Sequence, residues 1–317
     1  MKLFSGGSVV ARVLVIDAES MLGRFCCADF ERAGWTVLGT ADQPTPGSGF
    51  VECDVTDAAD VESVVNILGP DAIVNCARAA FSARPGILYA THPVGMLNVV
   101  SAAAKHRPGI PVLAIGCGSE YGSRVASPAA ETSLPQPDSL FAASKVAQTQ
   151  AMTIAASRYQ LPLITVRPFA VVGPGVAVDS AIGRLFAQIH RTLTGSSEQA
   201  EFDVPGAMTA ADLVDVRDAA RAIRLLLENV VPAPGTAEVF NIATQMGTRL
   251  LDVAAILGRQ AGLKPRAANG KPDGWLIPGI GSFARLRKAT GWSPEFTWRQ
   301  SLDEICRAGL AVAEPVA

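Results

Sequence analysis

Few side chains in this chain combine a type and a spacing that suit chemistry. Lys145 lies on an amphipathic stretch, with Ser144 beside it and Phe141 one helical turn earlier on the same face. Cys117 and Ser119 bracket Gly118 directly after the apolar run 112–116, and Glu120 follows. An ammonium group can lower the pKa of a neighbouring acid, whereas a thiol is a weak donor and a phenyl ring moves no proton. The segment Asp17-Ala18-Glu19-Ser20-Met21-Leu22-Gly23 follows the first apolar run and opens a helix-like stretch. There Asp17 or Ser20 can cap the helix, with Glu19 complementing its dipole. His92, His106 and His190 are scattered without an HExxH pattern, and none is placed to activate Cys117. The cysteines, Cys26, Cys27, Cys53, Cys76, Cys117 and Cys306, show no CxxC spacing, and several sit in apolar segments as reduced core thiols do. No metal is expected.

The elements that must position these groups are those of an α/β protein. The 317 residues can hold one large domain and a smaller appendage, and 49% hydrophobic against 18% charged residues is ample for a core. With 27 basic and 29 acidic residues the net charge is −2, which argues against a nucleic-acid partner. Mean hydropathy is +0.28, yet no apolar run approaches the ~18–20 residues of a spanning helix. Lys2 precedes residues 5–8 without the apolar region of a secretory signal, so a soluble cytoplasmic protein with no membrane partner is expected.

Short β-branched runs at 10–17, 36–40, 72–76, 112–116 and 161–167 predict strands. Between them, 21–33, 58–68, 96–106 and 141–159 carry apolar residues at helical spacing, as in Val61, Val64, Val65 and Leu68. Nearly continuous apolar strands with helical crossovers predict a Rossmann-like, doubly wound parallel sheet. Beyond Pro168 come a turn at 173–175, a helix over 181–194, a polar loop over 195–200 and a helix with its entry segment over 212–228. A strand at 238–243 and helices over 250–261, over 283–290 and from Trp298 follow. The expected division is a Rossmann-like domain of residues 1–168, to which 212–243 returns, and a smaller α/β substrate lobe of 169–211 and 244–317.

Seven phrases in order resemble the extended short-chain dehydrogenases/reductases, the NAD-dependent epimerase/dehydratase family. The resemblance is particularly to its GDP-mannose 4,6-dehydratase and GDP-4-keto-6-deoxymannose reductase branch. The phrases are 53–57 (CDVTD), 116–122 (GCGSEYG), 141–148 (FAASKVAQ), 166–175 (VRPFAVVGPG), 212–218 (DLVDVRD), 240–243 (FNIA) and 290–294 (TGWSP). The resemblance implies NAD(P), a nucleotide-sugar ligand and a homodimer built from the helices at 92–106 and 141–159.

Residue by residue, the ligand-facing positions depart from the family pattern. Of the three glycines in its phosphate-binding turn only Gly23 remains, with Asp17 and Ser20 in the first two places. A side chain at Ser20 narrows the approach to pyrophosphate. A carboxylate at this helix start repels it by roughly 4 kcal/mol for unit charges about 4 Å apart at an effective dielectric near ~20. Asp42, about twenty residues on, favours NAD over NADP if a cofactor binds. Asp54, Val55, Ala77, Lys145 and Pro168 complete the cofactor-binding positions that the resemblance implies, with Met21 and Leu22 in the turn. Phe141 replaces the tyrosine of the Tyr-x-x-x-Lys pair, and Cys117 a serine or threonine. Ser119 stands in place of a dehydratase glutamate, while Glu120, one position on, should face away on a strand extension. Ala170, Ala211 and His92 replace a common Asn, Arg and Asn.

Three readings follow. In the first, the chain is a catalytically impaired or silent relative that binds or regulates, with an active sugar-nucleotide enzyme as partner. In the second, it is an active epimerase, dehydratase or reductase using Cys117, Ser119, Ser144 and Lys145. In the third, it is a nucleotide-sugar binding module without redox chemistry, using the C-terminal lobe.

Overall fold

The computed structural model describes residues 11–194, 201–273, 275–277 and 279–308. Residues 1–8, read above for a leader, the start of the first strand run at Val10 and the polar loop 195–200 lie outside the described residues. The first half runs β1 (Arg12–Ile16), α1 (Met21–Arg32), β2 (Thr36–Ala41), β3 (Val51–Glu52), α2 (Ala58–Leu68), β4 (Ala72–Asn75), α3 (Pro85–Tyr89), α4 (Gly95–His106), β5 (Val112–Ile115) and α5 (Leu140–Tyr159). The second half runs β6 (Leu163–Pro168), β7 (Ala170–Val172), α6 (Ala181–Thr194), β8 (Glu201–Pro205), β9 (Ala210–Asp215), α7 (Val216–Asn229), β10 (Ala237–Ile242), β11 (Gly247–Arg249), α8 (Leu250–Gln260), β12 (Lys264–Ala268), α9 (Ala284–Thr290) and α10 (Trp298–Ala308).

Seven strands form one parallel sheet in the order β10-β6-β5-β4-β1-β2-β3, the doubly wound arrangement that the apolar runs predict. Alternation along β1 explains why both faces are covered. Val13 and Val15 pack toward α1 and α7, with Cys26, Phe30 and Ile223, while Leu14 and Ile16 pack toward α2 and α4, with Val61, Val65 and Val99. From β1 the chain winds out to β3, then returns through α2 to start the other half at β4. The order therefore reverses between β1 and β4, and the crevice beyond their carboxyl ends is where such sheets bind ligands.

The remaining strands make a three-stranded sheet, β11-β9-β7, and a parallel pair, β12-β8. Asp212 on β9 joins them to the main body by accepting from the amides of Thr244 (2.8 Å), Gln245 (3.0 Å) and Gly281 (3.1 Å). The entry segment of the 212–228 reading is thus strand β9, and α7 starts only after Asp215, which caps it at the Arg217 amide (2.8 Å). The helix predicted over 96–106 has a preamble that its prolines hid. Pro85 occupies the first turn of α3, and Pro93 sits inside a wide turn, Ala90–Val94. The combined segment Pro85–His106 is long and apolar enough to cross a membrane, but half of its most apolar window is buried in the fold. All six cysteines are free thiols.

Candidate functional site

The turn after β1 closes tightly on α1. Asp17 takes the left-handed conformation (φ 59°), and the amide of Ala18 donates to the Thr40 carbonyl on β2 (2.7 Å). Ser20 caps α1: its Oγ accepts from the Gly23 amide (3.1 Å) and donates to the Asp17 carbonyl (2.7 Å). A Cβ on Gly23 would lie 2.2 Å from the Asp17 carbonyl oxygen, which is why this glycine remains where two others do not. The two acids do not share the capping role. Glu19 turns outward and accepts from the amide (2.9 Å) and Oγ1 (3.0 Å) of Thr45, tying down the segment beyond β2. Asp17 stays at the turn. Burial pushes its carboxyl up to about 6, opposed by Arg78 and reinforced by the charges of Asp42 and Glu19.

The other cofactor positions line the same strand ends. Asp42 is exposed just past β2, while Met21 and Leu22 are half-buried in the first turn of α1. Asp54 spends its carboxylate locally, accepting from the amide and Oγ1 of Thr56 (2.8 Å each). Val55 is buried against Gly95, and its carbonyl accepts from Asn98 (3.1 Å). Ala77 is buried beyond β4, its amide held by Asn75 Oδ1 (3.0 Å), and Pro168 ends β6 in register with Ile242.

Lys145 is buried on α5, where Nζ donates to the Ile115 carbonyl at the end of β5 (2.8 Å) and to Gln148 Oε1 (3.4 Å). Burial holds its ammonium down at about 8, although Cys117 and Glu120 pull the other way. Cys117 is buried too; its Sγ accepts from Ser119 Oγ (3.0 Å), and burial pushes the thiol up. The thiol is therefore protonated at neutral pH and is neither a nucleophile nor a strong donor.

Phe141 is 2% exposed inside an aromatic group. Its ring centroid lies 5.4 Å from Phe81, 5.5 Å from Trp275 and 5.2 Å from His92, the last edge-on. His92 is fully buried. Its Nε2 accepts from the Ala79 amide (3.3 Å), which leaves the proton on Nδ1 to reach Ser144 Oγ (2.7 Å), and Ser144 donates onward to the Phe141 carbonyl (2.8 Å). Burial, with Lys145 and Arg78 nearby, keeps the imidazole neutral, down at about 2. Ser144 is thus saturated by structural bonds.

Glu120 faces inward for a different reason from strand alternation. Residues Gly118–Tyr121 form a single tight helical turn, not a strand extension. This aims the carboxylate at the Cys117 amide (2.9 Å), Thr149 Oγ1 (2.9 Å) and a buried ion pair with Arg167 (Nη2, 2.8 Å). Arg167 also donates to the Tyr121 hydroxyl (3.1 Å), which donates to Asn241 (2.7 Å). Nothing in the sequence pattern singles out Phe81, Trp275, Arg167 or Arg78. They reach the site from three separate segments, Arg78 and Phe81 sharing the stretch between β4 and α3, and only the exposed Arg78 carries a hint, lying one residue past Ala77.

A nicotinamide dinucleotide does not fit the turn while Asp17 is ionised. Asp17 brings a carboxylate to the turn that leads into α1, where such sheets bind a pyrophosphate, and Ser20 already takes the Gly23 amide. Among the described residues, no group of three His, Cys, Asp or Glu side chains could hold a metal ion.

The family described as "NAD dependent epimerase/dehydratase family" matches residues 13–243. GDP-6-deoxy-D-mannose reductase of Pseudomonas aeruginosa is 26% identical over 248 residues, covering 74% of this chain and 79% of that protein. The structure of RMD from Pseudomonas aeruginosa complexed with NADPH superposes with a TM-score of 0.79 at 24% identity, covering 94% of this chain and 98% of the other. The Thermus thermophilus UDP-glucose 4-epimerase complex with NAD gives a TM-score of 0.80 at 22% identity, over 95% and 100% of the two chains. These last two likenesses are of fold alone. With the matched residues running from β1 to the end of β10, the chain belongs to the NAD-dependent epimerase/dehydratase family, in the extended short-chain dehydrogenase/reductase branch.

Proposed function

We propose that this chain is a catalytically silent member of its family that serves as a binding or regulatory protein. One observation carries the proposal: the place of the proton-transferring tyrosine is filled by Phe141, sealed at 2% exposure against Phe81, His92 and Trp275. No neighbouring group takes over. Cys117 is a protonated buried thiol, and Ser144 is committed to His92 and the Phe141 carbonyl. General acid–base help is worth ~10²–10⁴-fold in rate, so its loss alone would leave chemistry slow.

Residues 1–168, with 212–243, would form the Rossmann-like domain, and 169–211 with 244–317 the lobe that takes a nucleotide sugar. If a dinucleotide enters, the exposed Asp42 favours NAD, because a second carboxylate would repel the extra phosphate of NADP. The protein would act as a homodimer or beside an active sugar-nucleotide enzyme.

The double variant Phe141→Tyr with Cys117→Ser tests the proposal. Supplied with NAD(P) and GDP-, UDP- or dTDP-hexoses at alkaline pH, it should still give no turnover, since Asp17 is then ionised and the turn unsuited to pyrophosphate. Restored turnover would mean an intact cofactor site and an enzyme only lightly disabled. A second reading, an active enzyme with a non-standard base, draws on Lys145, whose ammonium is held down at about 8. It requires wild-type turnover that disappears in Lys145→Met.

A further inference from the structure

Asp17 combines three properties that a merely lost glycine would not need. It has a left-handed backbone (φ 59°), it is half-buried, and it directly follows β1 at the switch point between β1 and β4. The charged groups around it come from every neighbouring segment. Glu19 and Ser20 flank it in the turn, Asp42 approaches from the end of β2, and Cys76 and Arg78 approach from beyond β4. The α1 side contributes Gly23, whose missing side chain lets the Asp17 carbonyl come close. Glu19 is occupied by Thr45, so Asp17 is the acid of the turn whose carboxylate has no such tie to the segment beyond β2.

We infer that Asp17 is a proton-operated lock on this crevice: its carboxylate excludes the pyrophosphate of a nicotinamide dinucleotide, and its protonated form admits it. Neutralisation removes a like charge from a site with a low local dielectric and leaves a carboxyl O–H that can donate to a phosphate oxygen. Arg78, whose charge opposes that of the Asp17 carboxylate, then remains to favour the incoming phosphates. Because burial holds the Asp17 carboxyl up at about 6, the lock works over the mildly acidic range. If only the protonated form binds, the apparent dissociation constant is the intrinsic one divided by the protonated fraction, and affinity rises about ninetyfold from roughly pH 8 to pH 5. The inference rests on the binding role proposed above but not on catalytic silence.

Calorimetric titration with NAD across that range tests it, using wild type, Asp17→Asn and Asp17→Gly. Both replacements accept a left-handed backbone, so the fold should survive, and circular dichroism checks this. The wild type should gain about two orders of magnitude in affinity toward acid pH. Both variants should bind at the alkaline end as tightly as the wild type does at the acid end, with little pH dependence. Glu19→Gln should keep the pH rise. A wild type with constant affinity, an Asp17→Asn that shows the same rise, or no binding by any protein at any pH would each overturn the lock. Loss of the rise in Glu19→Gln would do so too, moving the switch to the neighbouring acid. The two proposals separate cleanly, since turnover by the wild type ends catalytic silence and leaves the lock intact, whereas a complete absence of binding does the reverse.

Discussion

The ring of Phe141 on α5 lies 5.5 Å, centroid to centroid, from the indole of Trp275, which belongs to the segment leading toward α9. This contact joins α5 to the segment between β12 and α9. Trp275 is anchored at its backbone, donating to the Asp179 carbonyl (2.8 Å) and accepting from the Ala181 amide (2.7 Å) at the start of α6.

Phe141→Ala should therefore behave as a core deletion. A loss of about 3–5 kcal/mol in unfolding free energy is expected from denaturant titration, as for other buried phenylalanines. Phe141→Tyr should cost less but still destabilise, because its hydroxyl would enter the aromatic group formed by Phe81, His92 and Trp275.

Glu120 and Arg167 form a fully buried pair, and removing one partner leaves the other charge stranded. Glu120→Ala should cost about 3–5 kcal/mol, more than an exposed pair such as Arg249–Asp252, for which about 0–1 kcal/mol is expected. Urea unfolding of the two variants gives the comparison.

Much of the sheet could be read from the sequence because its signal is local. β1, β2, β4, β5 and β6 are continuous apolar runs, and α1, α2 and α5 carry helical spacing with Ser20, Asp57 and Ser139 as caps. The short strands β7, β8, β9, β11 and β12 lack such a signal, being two small sheets whose pairing is set by the lobe around them. The site was legible only as a set of replacements. That Asp17 and Lys145 had unusual neighbours could be inferred from position, but the aromatic group around Phe141 assembles from residues 81, 92, 141 and 275, which no spacing links. Glu19 illustrates the same limit: in sequence it looks like a helix-start acid, and in the fold it holds Thr45.

The pH dependence of stability follows from Asp17. Its carboxyl is raised from 3.8 to about 6 in the folded protein, so between those values the folded state binds more protons than the unfolded one. Stability then falls as pH rises through that window, and the penalty is fully present above it. At about 1.4 kcal/mol per pKa unit the total is about 3 kcal/mol. Asp17→Asn should thus match the wild type near pH 4 and exceed it by up to that amount near neutrality, measured by urea unfolding at both pH values.

His92 should not titrate. Burial keeps it neutral, and the Ala79 amide and Ser144 fix the proton on Nδ1. Nitrogen NMR of the imidazole should report that tautomer unchanged across the neutral range. A midpoint near the ordinary histidine value would contradict the burial and bonding described.

Catalytic silence is tested most directly by incubating the wild-type protein with NAD or NADP and each of a panel of GDP-, UDP- and dTDP-linked hexoses, then separating the nucleotide sugars and determining their masses. A silent protein gives no product above a protein-free control. Conversion of any sugar that is lost in Lys145→Met would contradict it, and would show that Phe141 has been bypassed by a different acid–base route.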